Sequence, residues 1–341
     1  MPFTPIQTFL GGLLLHFSTS SLLEDTGRVF GVSGIVDGAV FGSHERWQWG
    51  IIVGLLAGPA FSYATGLQAY YPGNALHSIA QIGLGRLGLA GALVGFGSRL
   101  GSGCTSGHML CGVSRLSPRS LIATITFFAT AVLSAKLFPL GPSSNLSDPA
   151  IPAYAYTLDQ PSFAAIAVFI GLIAGLKIAY AALSRYVLST ASFRSTPYVL
   201  SGLMFSIGLS MSGMSDPAKV LGFLRLFDLT QFDPSLALIM LSGVLLNGIH
   251  YARLKHTAKA RFPWESWRVP TRKDVGSKLI LGSAAFGVGW GLIGICPGPA
   301  LVAFGESVIH NLTVTGKHDS LLGIITFLGA MLGGMRISRL F

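Results

Sequence analysis

Nine apolar stretches, each close to the length of a bilayer crossing, dominate this 341-residue chain: about 6–23, 47–66, 79–98, 120–138, 162–183, 197–213, 235–252, 279–295 and 320–338. Roughly 20 apolar residues span the hydrocarbon as a helix. Within lipid, only helices and closed barrels satisfy every backbone polar group. Segments this long predict an all-α integral membrane protein. Charge agrees: only 11% of residues are charged, against roughly a quarter in soluble domains. The 44 glycines fit close packing of helices in lipid. The N-terminal MPFTPIQTFL has no basic n-region and no small-residue cleavage site behind it, so it reads as the first span rather than a signal peptide.

The formal net charge of +10 does not point to nucleic acid, because eight of the 23 basic residues lie between Arg253 and Lys278, in one loop between apolar stretches. Basic residues concentrate in the cytoplasmic loops of membrane proteins. Nine spans place the termini on opposite faces. Seventeen basic residues then fall on the C-terminal face, and only Lys136, Lys219, Arg225 and Lys317 on the N-terminal one. The predicted orientation is N-terminus exterior and C-terminus cytoplasmic, in the plasma membrane or an organelle membrane. The sequons Asn145-Leu-Ser147 and Asn311-Leu-Thr313 both fall on the exterior face.

The chain also repeats itself. Gly27-Arg28-Val29-Phe30-Gly31 resembles Ala218-Lys219-Val220-Leu221-Gly222 at an offset of 191. Independently, Gly101 to Gly107 resembles Ile293 to Pro299 at an offset of 192. Five crossings separate equivalent positions, so the second unit enters the membrane from the opposite face. Such inverted repeats build many secondary transporters, with the solute site near the midplane. The predicted organisation is 4+1+4: a first repeat (1–139), a linker with span five (140–196) and a second repeat (197–341). Three shorter apolar stretches interrupted by Gly or Pro, about 27–41, 216–227 and 297–310, suit half-helices or re-entrant segments.

The chemistry gathers where the repeats are broken. Gly97-Ser98-Arg99-Leu100-Gly101-Ser102-Gly103-Cys104-Thr105-Ser106-Gly107-His108 holds four glycines in eleven residues. A Gly-rich bend before a helix start directs several N–H groups one way, which suits an anion. Thr105 and Ser106 add hydroxyls, and Arg99, Arg115 and Arg119 flank the segment. The second repeat answers with Cys296-Pro297-Gly298-Pro299, in which proline at the first helical position sets Cys296 beside the positive end of a half-helix. Free cysteine is usually a small buried hydrophobe. Cys104 and Cys296, however, occupy equivalent positions of the two repeats, and Cys111 follows seven residues after Cys104. An odd count of three cysteines excludes a disulfide framework. In Ser212-Gly213-Met214-Ser215-Asp216-Pro217, Asp216 reads as a helix N-cap and Met214 as a soft ligand or a filler. Lys219 is placed at the cavity mouth. No metal-ligand spacing of histidines occurs, and no span carries an evident carboxylate of the kind that binds coupling ions. That absence predicts a channel-like or facilitated carrier, with no enzyme activity and no cofactor.

These residues resemble the YeeE/YedE sulfur-transport family. The specific run is Gly97-x-Arg99-Leu100-Gly101-Ser102-Gly103-Cys104-Thr105-Ser106-Gly107-His108-x-x-Cys111-Gly112-x-x-Arg115-Leu116-Ser117-x-Arg119-Ser120. Its companion is Ser212-Gly213-Met214-x-Asp216-Pro217-x-Lys219-Val220 with Cys296-Pro297-Gly298-Pro299, and the likeness covers residues 10–138 and 197–340. The resemblance implies uptake of thiosulfate or a related reduced sulfur anion, relayed by Cys104 and Cys296 with Cys111 a lesser member. It implies as partners that anion, the lipid bilayer and an unidentified cytoplasmic sulfurtransferase. Thiosulfate importers of the family use three path cysteines, and here neither span one nor the position near Met214 supplies a third. Two rival readings use the same residues: a Cu(I) permease built on Cys104, Cys111, Cys296, His108 and Met214, and a membrane thiol or persulfide-transfer protein, which needs a general base.

Overall fold

The computed structural model describes residues 3–140, 161–190, 193–229, 231–313 and 319–341. The sequon at Asn145 and Lys317 lie outside the described residues. Regular structure among them is helical throughout: α1 (Pro5–Thr26), α2 (Val32–Phe41), α3 (Arg46–Thr65), α4 (Ala75–Ala80), α5 (Leu84–Leu100), α6 (Pro118–Leu137), α7 (Phe163–Thr190), α8 (Thr196–Ser212), α9 (Pro217–Leu224), α10 (Leu246–Leu254), α11 (Ser277–Ile293), α12 (Pro297–Thr313) and α13 (Asp319–Ser338). A π-helical segment, Thr105–Val113, stands between α5 and α6, and a π-helical turn runs into α10, so that Pro234–Leu254 forms one apolar stretch.

Each of the nine predicted stretches holds a helix. Among the described residues six helical stretches are long and apolar enough to cross a bilayer, and the pair α8 and α9, bent by 63°, makes a seventh. The other two are α5, with 17 residues, and α3, which carries Arg46, Gln48 and Ser62. Protein covers much of both: α5 packs on α11 and α13, and α3 on α8 and α12. The stretch expected at 79–98 is two helices, because α4 ends at Ala80 and α5 starts only after Gly83. The expected short segment 297–310 is the 17-residue α12.

The repeats face opposite ways. Gly11 packs on Ser212 while Ser18 and Ser201 exchange hydrogen bonds, each hydroxyl donating to the other residue's carbonyl at 2.7 and 3.1 Å. Numbers rise along α1 as they fall along α8, so these equivalent helices are antiparallel. The same holds for α5 and α11, where Gly101 meets Gly282 and Gly97 meets Phe286. A Cβ at Gly97 or Gly282 would overlap the partner backbone, which is how these helices approach so closely. Cross-packing also obeys the exchange: α5 on α13 matches α11 on α6, and α3 on α8 matches α10 on α1. Among the described residues α7 packs mainly on α8 and α1 and is only 17% buried over its apolar window, a peripheral position.

The basic loop 255–276 is strapped to the end of α1. Arg261, Phe262 and Arg268 donate backbone N–H groups to the carbonyls of Glu24, Asp25 and Gly27 at 2.9–3.0 Å. Arg28 pairs with Glu265 at 3.0 Å and stacks on Trp47.

Candidate functional site

The starts of α2, of the Thr105–Val113 segment and of α12 border one space, joined by Met214 from the bend before α9. The breaks before the Thr105–Val113 segment and before α12 are built alike. Gly294 ends α11 in a left-handed conformation at φ +75°, and its equivalent 192 residues earlier, Ser102, has φ +61°. The residues that follow turn into the protein interior and start the half-helices.

Both break cysteines are helix caps. The Cys104 carbonyl accepts from His108 N–H at 2.9 Å, and the Cys296 carbonyl from Ala300 N–H at 3.0 Å. The two side chains are buried, at 1% and 4% exposure, and they line one central space with Thr105, Ser106, Met109 and Met214. Hydroxyls hold the thiols in place. Ser106 Oγ accepts from Val32 N–H at the start of α2 (3.0 Å) and lies 3.3 Å from Cys104 Sγ. Thr105 Oγ1 reaches across to Cys296 Sγ at 3.4 Å, joining the repeats. Gly298 keeps α12 close to Leu209 and Val32, leaving little room for a side chain.

The central space is narrow, about 20 Å³, room for about one water. Larger cavities lie on either side of it. One, of about 310 Å³, is lined by Trp47, Gly103, Gly107, His108, Arg115, Arg119 and Arg272. The other, of about 250 Å³, is lined by Pro59, Ser62, Tyr71, Asp216, Glu306 and His310. Helix α3 contributes Trp47 to the first and Pro59 to the second, about 18 Å apart along its axis. The central space adjoins both: Cys104 lies beside Gly103 of the first cavity, and Met214 beside Ser215 of the second, which sets the paired thiols at a waist between them.

The remaining predicted residues divide. His108 lines the basic cavity as a brace: one ring nitrogen lies 3.1 Å from the Gly101 carbonyl, the other 3.1 Å from Ser120 Oγ. A Cβ on Gly103 would strike that ring. Cys111 is away from the waist; its thiol meets the Phe30 carbonyl at 3.7 Å, and it lines a separate small pocket with Arg115 and His250. Arg115 donates to the Cys111 and Pro270 carbonyls at 2.8 and 3.1 Å. Arg119 binds Ser102 Oγ and Asp274, whose carboxyl is held below the usual range by hydrogen bonds from Arg272. Arg99 pairs with Asp37 at 3.1 Å. Pro297 opens α12 as its first residue.

Two expectations are corrected. Lys219 does not face a cavity mouth: it is buried and its Nζ pairs with Asp233 at 2.9 Å, because α9 turns its basic residue toward the loop that follows. Carboxyl groups are not absent from the passage either. Glu306, on α12, and Asp216, at the start of α9, both face the cavity on the Asp216 side. Glu306 sits alone in an apolar run, where only the fold could show that its side of the helix borders a cavity. Among the described residues no cluster of three or more His, Cys, Asp or Glu is arranged to hold a metal ion.

A helical membrane protein with inverted repeats, broken helices at its centre and water-accessible cavities on both sides of a waist belongs to the class of solute carriers. Comparison with known proteins narrows this. Residues 196–341 match a family of unknown function (DUF6691). One probable transporter of Xylella fastidiosa (strain Temecula1) is 38% identical over 126 residues, covering 37% of this chain and 89% of the relative. A second from the same strain is 34% identical over 147 residues, covering 43% of this chain and 89% of the relative. The chain belongs to the family of these probable transporters, and it is a multi-pass membrane transporter.

Proposed function

We propose that the chain takes up thiosulfate or a related inorganic sulfur-containing anion, moving it from the Glu306 cavity past Cys104 and Cys296 to the basic cavity. The observation that carries this reading is the waist: one thiol from each repeat, both capping half-helices, borders a single narrow space. Helix N-termini favour anions through their unpaired N–H groups and dipole. A neutral thiol offers a weak donor to a terminal sulfur, and weak successive contacts let a solute leave as readily as it arrives. The basic cavity with Arg115, Arg119 and Arg272 lies on the side that the positive-inside rule makes cytoplasmic. The likeness to YeeE/YedE proteins supports the choice of sulfur anion. The third cysteine used by thiosulfate importers of that family has no counterpart at the waist, where Met214 stands.

Met109 and Met214 beside the two thiols are also soft donors suited to Cu(I), so copper is the control that matters. Purified protein in liposomes is offered labelled thiosulfate, sulfate and Cu(I) in parallel. Saturable thiosulfate uptake that unlabelled thiosulfate competes away, without copper uptake, is the expected result. Copper uptake without any sulfur-anion uptake overturns the proposal.

A further inference from the structure

The cavity on the Asp216 side is an unusual access route for an anion, because two carboxyl groups face it. They are held very differently. Asp216 is locked as a helix cap: its oxygens accept from Asn74 N–H at 3.0 Å, Ser78 Oγ at 2.7 Å and Ala218 N–H at 2.9 Å. These three donors fix the carboxyl in place as the cap of α9. Glu306 shares the cavity of about 250 Å³, yet among the described residues no hydrogen bond or ion pair reaches its carboxyl. The α12 backbone around it is tightly packed: Gly305 lies against the Leu56 carbonyl and Ser307 is fully buried.

Other titratable groups on this cavity are few. Tyr63 comes from α3, Tyr71 from the loop after it, with its hydroxyl 2.7 Å from Ser62 Oγ, and His310 from α12 itself. From α9 comes Asp216. The described residues of α2, α4, α8 and α13, which also pack on α12, present no titratable side chain to the cavity. Among the described residues no lysine or arginine lines it.

With Asp216 committed to these three hydrogen bonds, Glu306 is the carboxyl whose protonation can change what the cavity offers a solute. As a carboxylate it repels an anion and has nothing to donate; as a neutral carboxyl it offers an O–H donor. We propose that Glu306 is a specificity-determining residue that admits the anion only when it carries a proton. The step is simple: the carboxylate takes a proton from water on its own side, the carboxyl donates a hydrogen bond to the anion, and the proton returns to the same water once the anion has passed the waist. No net proton crosses the membrane in this cycle. The inference rests on the proposed anion uptake.

The test is thiosulfate uptake into proteoliposomes at fixed internal pH while the pH on the Glu306 side varies from ~8.5 to ~5.5, a range that also titrates histidine. The wild type is expected to show a KM that falls at least about fivefold across this range, with kcat nearly constant. Glu306→Gln, neutral at every pH and still a donor, is expected to hold the low KM throughout. Glu306→Asp keeps the dependence, and His310→Gln leaves it unchanged. Wild-type uptake with a flat KM overturns the inference and leaves the functional reading standing, as does a pH profile that survives in Glu306→Gln or vanishes in His310→Gln. Absence of thiosulfate uptake at every pH overturns both.

Discussion

Cys104 and Cys111 lie seven residues apart on one segment and do different work. Cys104 borders the waist, whereas Cys111 faces the Phe30 carbonyl in a pocket of its own. Cys111→Ala is therefore expected to leave the rate of uptake within about twofold, since a small buried thiol mainly packs. A loss as deep as that of a waist-thiol variant would place Cys111 on the path. Lys219 and Asp233 form a buried pair, each 2% exposed. Lys219→Met removes the cation from the buried Asp233 and leaves that carboxyl only its hydrogen bonds from Ser235, which costs about 3–5 kcal/mol. Thermal unfolding in detergent should show this loss and its substantial recovery in Lys219→Met with Asp233→Leu. The pairing of Cys104 with Cys296 was readable in the sequence, because two motifs share one offset. The partner of Lys219 was not, since a cation in a membrane segment reads equally as solute-facing or salt-bridged until the following loop is placed. Glu306 was hidden for the opposite reason: one acid in an apolar helix does not disturb the apolar pattern.

At the scale of elements, the breaks matter more than the spans. Gly294 lies left-handed with the Pro217 carbonyl against the place where a Cβ would stand. Gly294→Ala should destabilise the protein by about 1–3 kcal/mol through strain and overpacking and lower uptake by displacing Cys296; unchanged stability and uptake would show that the break tolerates a side chain. The interface of α5 with α11 is held by glycines, so Gly282→Leu should prevent the two repeats from docking, seen as loss of the monodisperse peak in detergent. Helix positions were legible from apolar length, because lipid demands it. Their ends were less so: the break between α4 and α5 falls at Gln81 to Gly83 inside a run apolar enough to pass as one helix. The segment Thr105–Val113 starts where the Gly-rich bend predicts, but its π-helical form has no sequence signal of that kind.

At the scale of the whole molecule, inversion follows from the antiparallel run of α1 against α8 and of α5 against α11, and it places the two thiols on either side of one waist. We propose that an odd number of crossings puts the termini on opposite faces, with the C-terminus cytoplasmic; tags on both ends should then be labelled from opposite sides in sealed vesicles, and labelling of both from one side would refute that topology. The repeat was visible as an offset, but the cross-packing of α5 with α13 and of α6 with α11 was not, because lipid-facing and partner-facing apolar surfaces look alike in sequence. The waist has room for about one water, so the proposed passage of a polyatomic anion requires the elements that carry the two thiols to separate. The measurement that bears most directly on this account is initial thiosulfate uptake by wild type, Cys104→Ala and Cys296→Ala in the same liposomes. The account predicts that each substitution lowers uptake at least about tenfold, a change of about 1.4 kcal/mol, in protein that remains folded. Undiminished uptake by both variants would contradict it.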